Sequence, residues 1–297
     1  MSSLHLRLPA TSANLGAAFD TAAIALTAYL SIEAEAADVF RIEASGRNPE
    51  QCGQIENNLI FETYKSLMTR EGKIPVPLAI RMENGIPLGM GMGSSAAGRL
   101  AAIAMATHFG GLGWSSERIL AEACALEGHP DNAAACWLGG LVVASEFGGG
   151  LHYVRVEAPK AWKALVVLPG KPLATSEARA VLPEQYSRAD VVANVQAASL
   201  LGLAFAQARA DLLPAAMADR VHQPYRASIC ALLPKLLPLA GRGGIHGVAL
   251  SGAGPAVILV IDAAAEPEAR ETLKAALMGE EAEVLAVNFA LSGGGFE

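Results

Sequence analysis

A glycine-rich segment between a strand-like and a helix-like stretch restricts how this chain can fold more than any other feature. Pro87–Ala97 carries three glycines at every second position, after the apolar stretch 77–82 and before the alanine-rich stretch 94–108. Because glycine has no Cβ, the N–H groups of such a loop can converge on an anion, and the N-terminus of the next helix adds partial positive charge. The pattern predicts a strand, a phosphate-binding loop and a helix. A flexible turn before an N-capped helix would produce the same pattern.

No lysine follows the glycines, so the segment is not a Walker A loop. Ser94 and Ser95 stand where a hydroxyl could contact a phosphate oxygen or Mg²⁺. If the loop binds a nucleotide, the candidate residues are Pro87, Leu88, Gly89, Met90, Gly91, Met92, Gly93, Ser94, Ser95, Ala96 and Ala97.

The composition excludes disorder and argues against nucleic acid and membrane partners. Of the 297 residues, 52% are apolar and 17% charged, whereas disordered chains are rich in charge and poor in apolar residues. Binding to duplex nucleic acid depends on Lys and Arg side chains that neutralise phosphates. This chain has a formal net charge of −7 and no Lys/Arg-rich block. The longest uncharged run, 191–208, is interrupted by polar residues, whereas a spanning helix needs about 20 predominantly apolar ones.

The N-terminus and the cysteines indicate a compartment. The sequence does not begin with a basic region followed by an apolar one, so no secretory signal is expected. Cys52, Cys124, Cys136 and Cys230 lie too far apart for a CxxC pair, which favours buried thiols in a reducing compartment. We therefore expect a soluble cytoplasmic protein.

Hydrophobic periodicity predicts strands and helices without a regular βαβ order, which favours the α+β class. The predicted strands are 4–8, 27–35, 39–44, 77–82, 138–145, 151–156, 164–169, 247–251, 256–261 and 283–287. The predicted helices are 57–70, 94–108, 116–126, 190–210, 212–220, 226–237 and 266–277. Pro159 and the strand after it predict a boundary near residue 158, which gives domains 1–158 and 159–297.

Three further segments gather small and polar residues. Pro9–Asp20 follows the first strand, and its Thr, Ser and Asn side chains could simply cap the next element. Glu127–Asn132 contains two acids, an imidazole and an amide, and could be a helix start capped by Asp131 or Asn132. Leu250–Pro255 joins two apolar strands and could be a β-turn.

Together and in this order, the four segments resemble the GHMP kinase superfamily. Within it, Pro9–Gly16 with Phe19-Asp20, and Glu127–Asn132, are similar to the homoserine kinases, and Leu250–Pro255 matches the third motif of the superfamily. The resemblance spans residues 9–255. It implies a two-domain α+β GHMP kinase fold, with an N-terminal ATP-binding domain and a C-terminal ferredoxin-like domain. Ala18, Met92 and Ala256 depart from the usual family residues.

The resemblance implies ATP-dependent phosphorylation of the side-chain hydroxyl of L-homoserine to O-phospho-L-homoserine, in threonine biosynthesis, with ATP and Mg²⁺. A homodimer is compatible with the sequence. The alternatives are another small-alcohol kinase of the superfamily, acting on an isoprenoid or a sugar, and a non-catalytic ATP or metabolite sensor. Isoprenoids and sugars lack an amino-acid head group. A sensor should have lost the residues that bind phosphate or Mg²⁺.

The resemblance also implies a role for each candidate residue. Mg²⁺ prefers oxygen ligands, which Ser94 or Ser95 and Glu127 would supply. Homoserine would be bound by arginines at its carboxylate and by an acid with an imidazole at its ammonium, while two amides aim its hydroxyl. The substrate carboxylate would be bound by Arg179 and Arg226, and the ammonium by Asp20 and His129. The hydroxyl would be aimed by Asn14 and Asn132. The catalytic residues would be Asn132, Asn14 and Glu127.

The proton acceptor is left open by the residues themselves. Asn132 occupies the position at which some members of the superfamily have a catalytic Asp, and a neutral amide cannot accept a proton. We therefore favour direct transfer, in which the proton leaves with phosphate or water and electrostatics supply most of the rate. Asp131 is the alternative base, although its position beside Pro130 favours a capping role.

Overall fold

The structure is a computed structural model that describes residues 3–294. These residues form ten strands and eleven α-helices. The strands are β1 (Leu4–Asn14), β2 (Ala18–Ala36), β3 (Arg41–Gly46), β4 (Leu78–Asn84), β5 (Leu141–Phe147), β6 (Gly150–Val156), β7 (Trp162–Pro169), β8 (Ile245–Leu250), β9 (Val257–Asp262) and β10 (Ala282–Val287). The helices are α1 (Pro49–Cys52), α2 (Leu59–Arg70), α3 (Ser94–Phe109), α4 (Ser116–Glu127), α5 (Asp131–Leu138), α6 (Thr175–Ala180), α7 (Arg188–Ala206), α8 (Leu213–Ala216), α9 (Gln223–Arg226), α10 (Leu232–Leu236) and α11 (Glu266–Ala276).

The strands form two sheets. The first has the order β3-β4-β2-β5-β6, with β1 also paired to β2, and its only parallel pair is β3 with β4. The second, β10-β7-β9-β8, is antiparallel throughout. The α+β class is therefore confirmed.

Local signals fix the helix starts next to the glycine-rich loop. Asn58 caps α2, because its side chain accepts hydrogen bonds from the backbone N–H groups of Ile60 and Phe61. Ser115 caps α4 in the same way. Before α3, Gly93 takes a left-handed conformation, with φ 71°, that few other residues adopt. The strand, loop and helix predicted from the glycine pattern are thus all present.

Two predicted helices are wrong, and so is the alternative that Thr11 and Ser12 cap the next element. Thr11 and Ser12 belong to β1 and are buried in it, so they do not cap a following element. The helices predicted at 212–220 and 226–237 are instead short turns: α8, α9, α10 and the 3₁₀ turns Ala210–Leu212 and Leu237–Leu239. Proline explains the fragmentation, since it lacks an N–H group and clashes with the preceding turn of a helix, and the region contains four prolines.

The larger apolar core is continuous between the two sheets. It contains Leu8 and Ile24 of the first sheet and also Val166 and Ile258 of the second. The alternate face of the second sheet packs with α10 and α11 in a smaller core. The first sheet ends at Val156 and the second begins at Trp162; the domain boundary near residue 158 stays a prediction.

The end of the chain returns to the first sheet. Phe289 forms a β-bridge with Leu26, and the Ala290 N–H donates to the Ala25 carbonyl at 2.9 Å. Separately, α7 is long and apolar enough to cross a membrane by length and composition, which is weak evidence, and its Leu201 and Phe205 pack into the core.

Candidate active site

A cavity of about 390 Å³ lies between the glycine-rich loop, the start of β2 and the turn between β8 and β9. The candidate side chains for catalysis, substrate binding and metal binding all line it: Asn14, Asp20, Ser94, Ser95, Glu127, His129, Asn132, Arg179 and Arg226. Folding therefore brings together residues from both halves of the chain at one cavity.

The glycine-rich loop is seated against the turn between β8 and β9. A Cβ at Gly91 would lie 2.1 Å from the carbonyl oxygen of Ser251 and 2.8 Å from that of Gly254. The Ser251 hydroxyl donates to the Gly91 carbonyl at 2.8 Å. At Gly93 a Cβ would lie 1.9 Å from Thr11 Oγ1. Glycine is required at both positions, because φ is positive and no space for a side chain exists.

The eleven candidate nucleotide-binding residues fall into three groups. Six line the cavity: Gly89, Gly91, Met92, Gly93, Ser94 and Ser95. Pro87, Leu88 and Met90 line another cavity, whose walls also include Leu168 and Glu283. Ala96 and Ala97 are buried in the core side of α3. The first group is the one that a bound phosphate would meet.

A second cavity of about 280 Å³ adjoins the first at Gly89, Ser94 and Ser95. Its walls are mainly apolar and include Leu30, Ile60, Met82, Ile86 and Leu88. No local sequence pattern reveals this cavity, because its lining comes from β2, α1, α2, β4, the glycine-rich loop and α3. Its size and apolar walls suit a flat aromatic ring.

Ser95 and Glu127 form a pair of oxygen donors at the loop end of the cavity. The Ser95 hydroxyl donates to Glu127 Oε1 at 2.8 Å, while Ser94 lines the cavity beside them. Hydroxyl and carboxylate oxygens are ligands that suit Mg²⁺. Arg99, which the sequence analysis did not single out, lies with its Nε 3.0 Å from the same Glu127 oxygen.

Arg226 is a buried cation held by neutral acceptors. Its side chain is 1% exposed and donates to the carbonyl of Ala178 at 3.0 Å, to His222 Nδ1 at 3.1 Å and to the carbonyl of Gly252 at 3.3 Å. Burial, and then the charge of Arg179, lowers the pKa of Arg226. Within residues 3–294, no carboxylate lies within ion-pair distance of it. The cavity therefore presents a guanidinium without an anionic partner.

His222, which was not among the candidate residues, orients this guanidinium. Its Nε2–H donates to the carbonyl of Gly16 at 2.8 Å, which leaves Nδ1 as the acceptor for Arg226. Burial lowers the pKa of His222, so the neutral ring that this arrangement needs is favoured. The hydrogen bond that fixes its tautomer is made to Gly16, 206 residues away, so the spacing to Arg226 alone does not reveal this role.

Arg179 is paired, in contrast to Arg226. Its two terminal nitrogens donate to the two carboxylate oxygens of Asp20 at 3.0 and 2.7 Å. Both guanidinium groups lie over the ring of Phe19, at 5.5 Å for Arg179 and 5.4 Å for Arg226. The pair joins the start of β2 to α6 across the cavity.

Asp131 is the centre of a buried polar cluster. Its Oδ1 accepts from His129 Nδ1 at 2.7 Å, from the Asn132 backbone N–H at 2.6 Å and from Asn132 Nδ2 at 3.2 Å. The hydrogen bond to Asp131 raises the pKa of His129. The capping role considered for Asp131 or Asn132 is wrong, because Pro130 is the N-cap of α5 and makes no side-chain hydrogen bond there. One ligand atom each of Asp20, His129 and Asp131 lies within 4.8 Å of the others.

Both amides are fixed by hydrogen bonds. Asn132 Oδ1 accepts from the Thr11 hydroxyl at 2.6 Å. Asn14 Nδ2 donates to the carbonyl of Gly252 at 2.8 Å, and its Oδ1 accepts from the Asp20 N–H at 3.0 Å. Each amide keeps one N–H free of these contacts, because an amide nitrogen carries two.

Two family models match the chain: the GHMP kinases N terminal domain over residues 58–140 and the GHMP kinases C terminal domain over residues 203–278. The homoserine kinase of Solibacter usitatus (strain Ellin6076) is 42% identical over 259 residues, which cover 87% of this chain and 85% of that protein. The homoserine kinase of Deinococcus radiodurans is 38% identical over 257 residues, which cover 86% and 84%.

Solved structures share the fold over the whole chain. The crystal structure of homoserine kinase from Cytophaga hutchinsonii ATCC 33406 has a TM-score of 0.82 at 22% identity, covering 100% of this chain and 98% of that one. Lactococcus lactis galactokinase complexed with galactose has a TM-score of 0.69 at 13% identity, covering 99% and 95%.

We predict that Gly91→Ala destabilises the fold more than a glycine substitution in open space. The new Cβ would meet two carbonyl groups, whereas a Cβ at Gly113, where φ is also positive, meets nothing within 4 Å. Gly113→Ala should therefore show only the backbone cost of about 1–2 kcal/mol, and Gly91→Ala a larger loss. Urea unfolding of both variants measures the difference, and equal losses would mean that the loop is not held against this turn.

Proposed function

The chain belongs to the homoserine kinases of the GHMP kinase superfamily, and we propose that it transfers the γ-phosphoryl group of ATP to the side-chain hydroxyl of L-homoserine. The product, O-phospho-L-homoserine, serves threonine biosynthesis. The observation that carries the assignment is the unpaired, buried guanidinium of Arg226 in a cavity that also contains the glycine-rich loop.

The amino-acid head group accounts for the charged residues at one end of the cavity. Arg226 offers the two N–H groups of Nη2, the nitrogen that makes none of its internal contacts, to the substrate carboxylate beside the Arg179–Asp20 pair. Asp20 and His129 accept from the ammonium, because the neutral His129 ring donates Nδ1–H to Asp131 and keeps a lone pair on Nε2. A sugar or an isoprenoid alcohol has no ammonium to use these acceptors.

The other end of the cavity suits the nucleotide. Backbone N–H groups at Gly91, Gly93 and Ser94 and the N-terminus of α3 attract the triphosphate. The adjoining apolar cavity takes the base. Ser95 and Glu127, with Ser94 beside them, fit Mg²⁺ as oxygen ligands. When bound, the ion neutralises charge on the phosphates.

Direct transfer suits the hydrogen bonds around Asp131. Its Oδ1 accepts three hydrogen bonds, two of them from Asn132, so Asp131 serves to orient that amide. The remaining N–H groups of Asn132 and Asn14 orient the hydroxyl. Positioning and charge stabilisation then supply most of the rate, as phosphoryl transfer allows. We further propose a cytoplasmic location, because the four free cysteines fit a reducing compartment.

A coupled assay of ADP release tests this function. Homoserine should stimulate ADP release far more than mevalonate or galactose, which represent the two rival substrate classes. Greater stimulation by galactose or mevalonate would assign the chain to another small-alcohol kinase. ATP binding with no ADP release in the presence of any of the three would favour a non-catalytic sensor.

We predict that Arg226→Lys and Arg179→Lys each raise the KM for homoserine about 10- to 100-fold, since a hydrogen bond to a charged group contributes about 1.5–3 kcal/mol. Lysine keeps the charge but loses the fork of donors. The KM for ATP should hardly change. Arg209→Lys is the matched control, because Arg209 makes the same two-nitrogen contact with Asp211 at the surface. If ATP affinity falls instead, these arginines serve the nucleotide.

Asp131 and Asn132 distinguish direct transfer from general-base catalysis. A general base contributes about 10²–10⁴-fold, so Asp131→Asn should lower kcat only modestly if no residue holds the proton. Asn132→Ala should be more damaging, because a misplacement of about 1 Å can cost roughly 10²-fold. Circular dichroism checks the folding of both variants. A loss of several orders of magnitude in folded Asp131→Asn would identify Asp131 as the base.

The affinity for homoserine should depend on the protonation of His129. A protonated ring has no acceptor for the substrate ammonium, so the KM for homoserine should rise as the pH falls through the pKa of His129, which Asp131 raises above 6.5. His129→Gln keeps an acceptor that does not titrate and should flatten this pH profile. An unchanged profile in His129→Gln would exclude His129 as the titrating group.

A further inference from the structure

Arg99 lies on the phosphate side of the cavity without an assigned role. It is one helical turn after Ser95 on α3, so the two side chains share a face. It lines the same cavity as Gly93, Ser94 and Ser95, and its side chain is about one quarter exposed. A long cationic side chain is therefore within the space where the loop meets the nucleotide.

The contact between Arg99 and Glu127 holds the guanidinium only weakly. Nε lies 3.0 Å from Glu127 Oε1, but it is buried and makes no hydrogen bond of acceptable geometry. The same oxygen accepts the Ser95 hydroxyl at 2.8 Å. Within residues 3–294, Glu127 is the only acid within ion-pair distance of Arg99. The two groups attract by charge, and Arg99 keeps donors to offer.

The charges around the cavity single out Arg99. The arginines that line it in the described chain are Arg99, Arg179 and Arg226, and no lysine does. Arg179 is paired with Asp20, and Arg226 is fixed by carbonyl groups at the amino-acid end. A triphosphate at the glycine-rich loop has several negative charges. Among the described arginines that line the cavity, Arg99 is the one at the loop end, and directed hydrogen bonds do not hold it.

We propose that Arg99 binds the phosphate oxygens of the nucleotide and that Glu127 holds it only while the site is empty. A guanidinium makes short, charge-assisted hydrogen bonds to phosphate, often two at once. When Arg99 turns to the phosphates, the Glu127 carboxylate becomes available as a metal ligand. Arg99 thus supplies the cation that a Walker A lysine supplies elsewhere. The proposal depends on the nucleotide substrate of the proposed function, but not on homoserine.

Equilibrium binding of AMP, ADP and ATP to Arg99→Met, measured calorimetrically in EDTA, tests the proposal. Methionine removes the charge and keeps an unbranched side chain. The affinity for ATP should fall about 10- to 100-fold, that for ADP less or equally, and that for AMP hardly at all. Arg99→Lys should recover part of the ATP affinity. An equal loss for AMP and ATP, or no loss for ATP, would overturn the proposal.

Two further variants separate phosphate binding from effects through Glu127. Arg70→Met is the matched control, because Arg70 pairs with Glu122 outside this cavity, and it should leave all three affinities unchanged. The double variant Arg99→Met with Glu127→Gln removes both charges of the pair. It should still bind ATP weakly if Arg99 contacts phosphate, whereas wild-type affinity would show that Arg99 only screens Glu127.

These measurements use nucleotide alone, so they do not depend on the phosphoryl acceptor. A chain that binds ATP through Arg99 but phosphorylates another alcohol would retain this inference and lose the proposed substrate. A chain that phosphorylates homoserine with unchanged ATP affinity in Arg99→Met would retain the proposed function and lose this inference.

Discussion

The close approach of the glycine-rich loop to the turn between β8 and β9 is the constraint on which the site depends. The backbone at Gly91 meets the carbonyls of Ser251 and Gly254 at distances that exclude any side chain. This contact fixes the loop against the second sheet. At its C-terminal end the loop continues into α3, which packs in the larger apolar core. Because interiors are densely packed, a shift of either sheet would move the phosphate end of the cavity.

The same turn also fixes the amino-acid end. The carbonyl of Gly252 accepts from both Asn14 and Arg226, so one peptide group links β1, α9 and the turn. Arg226 is further held by His222, whose neutral state follows from its burial. Burying a cation without a carboxylate is costly. An anionic ligand would offset that cost, and in the proposed function this ligand is the substrate carboxylate.

Local patterns predicted the loop and α3, because glycine spacing and helix caps are encoded in a few adjacent residues. The candidate residues, above all Arg179 and Arg226, came from the resemblance to the family. Local patterns failed at 212–237, where apolar periodicity continues through prolines that break the helices. They also missed His222 and Arg99, whose roles depend on partners 206 and 28 residues away. Composition favours surface arginines, yet Arg226 is almost wholly buried. Only the fold reveals such contacts.

The return of the chain end to the first sheet bears on how relatives of this protein can be recombined. After β10, Ala290 pairs with Ala25, and the carbonyl of Ala290 also accepts from the Gly140 N–H at 2.8 Å. A chimera could take residues 1–158 from one relative and the remainder from another. Surfaces from two different proteins would then meet where Ala290 contacts Ala25 and Gly140, and where Gly91 contacts the turn between β8 and β9. The natural unit of exchange is therefore the pair of matching surfaces, rather than either half of the chain.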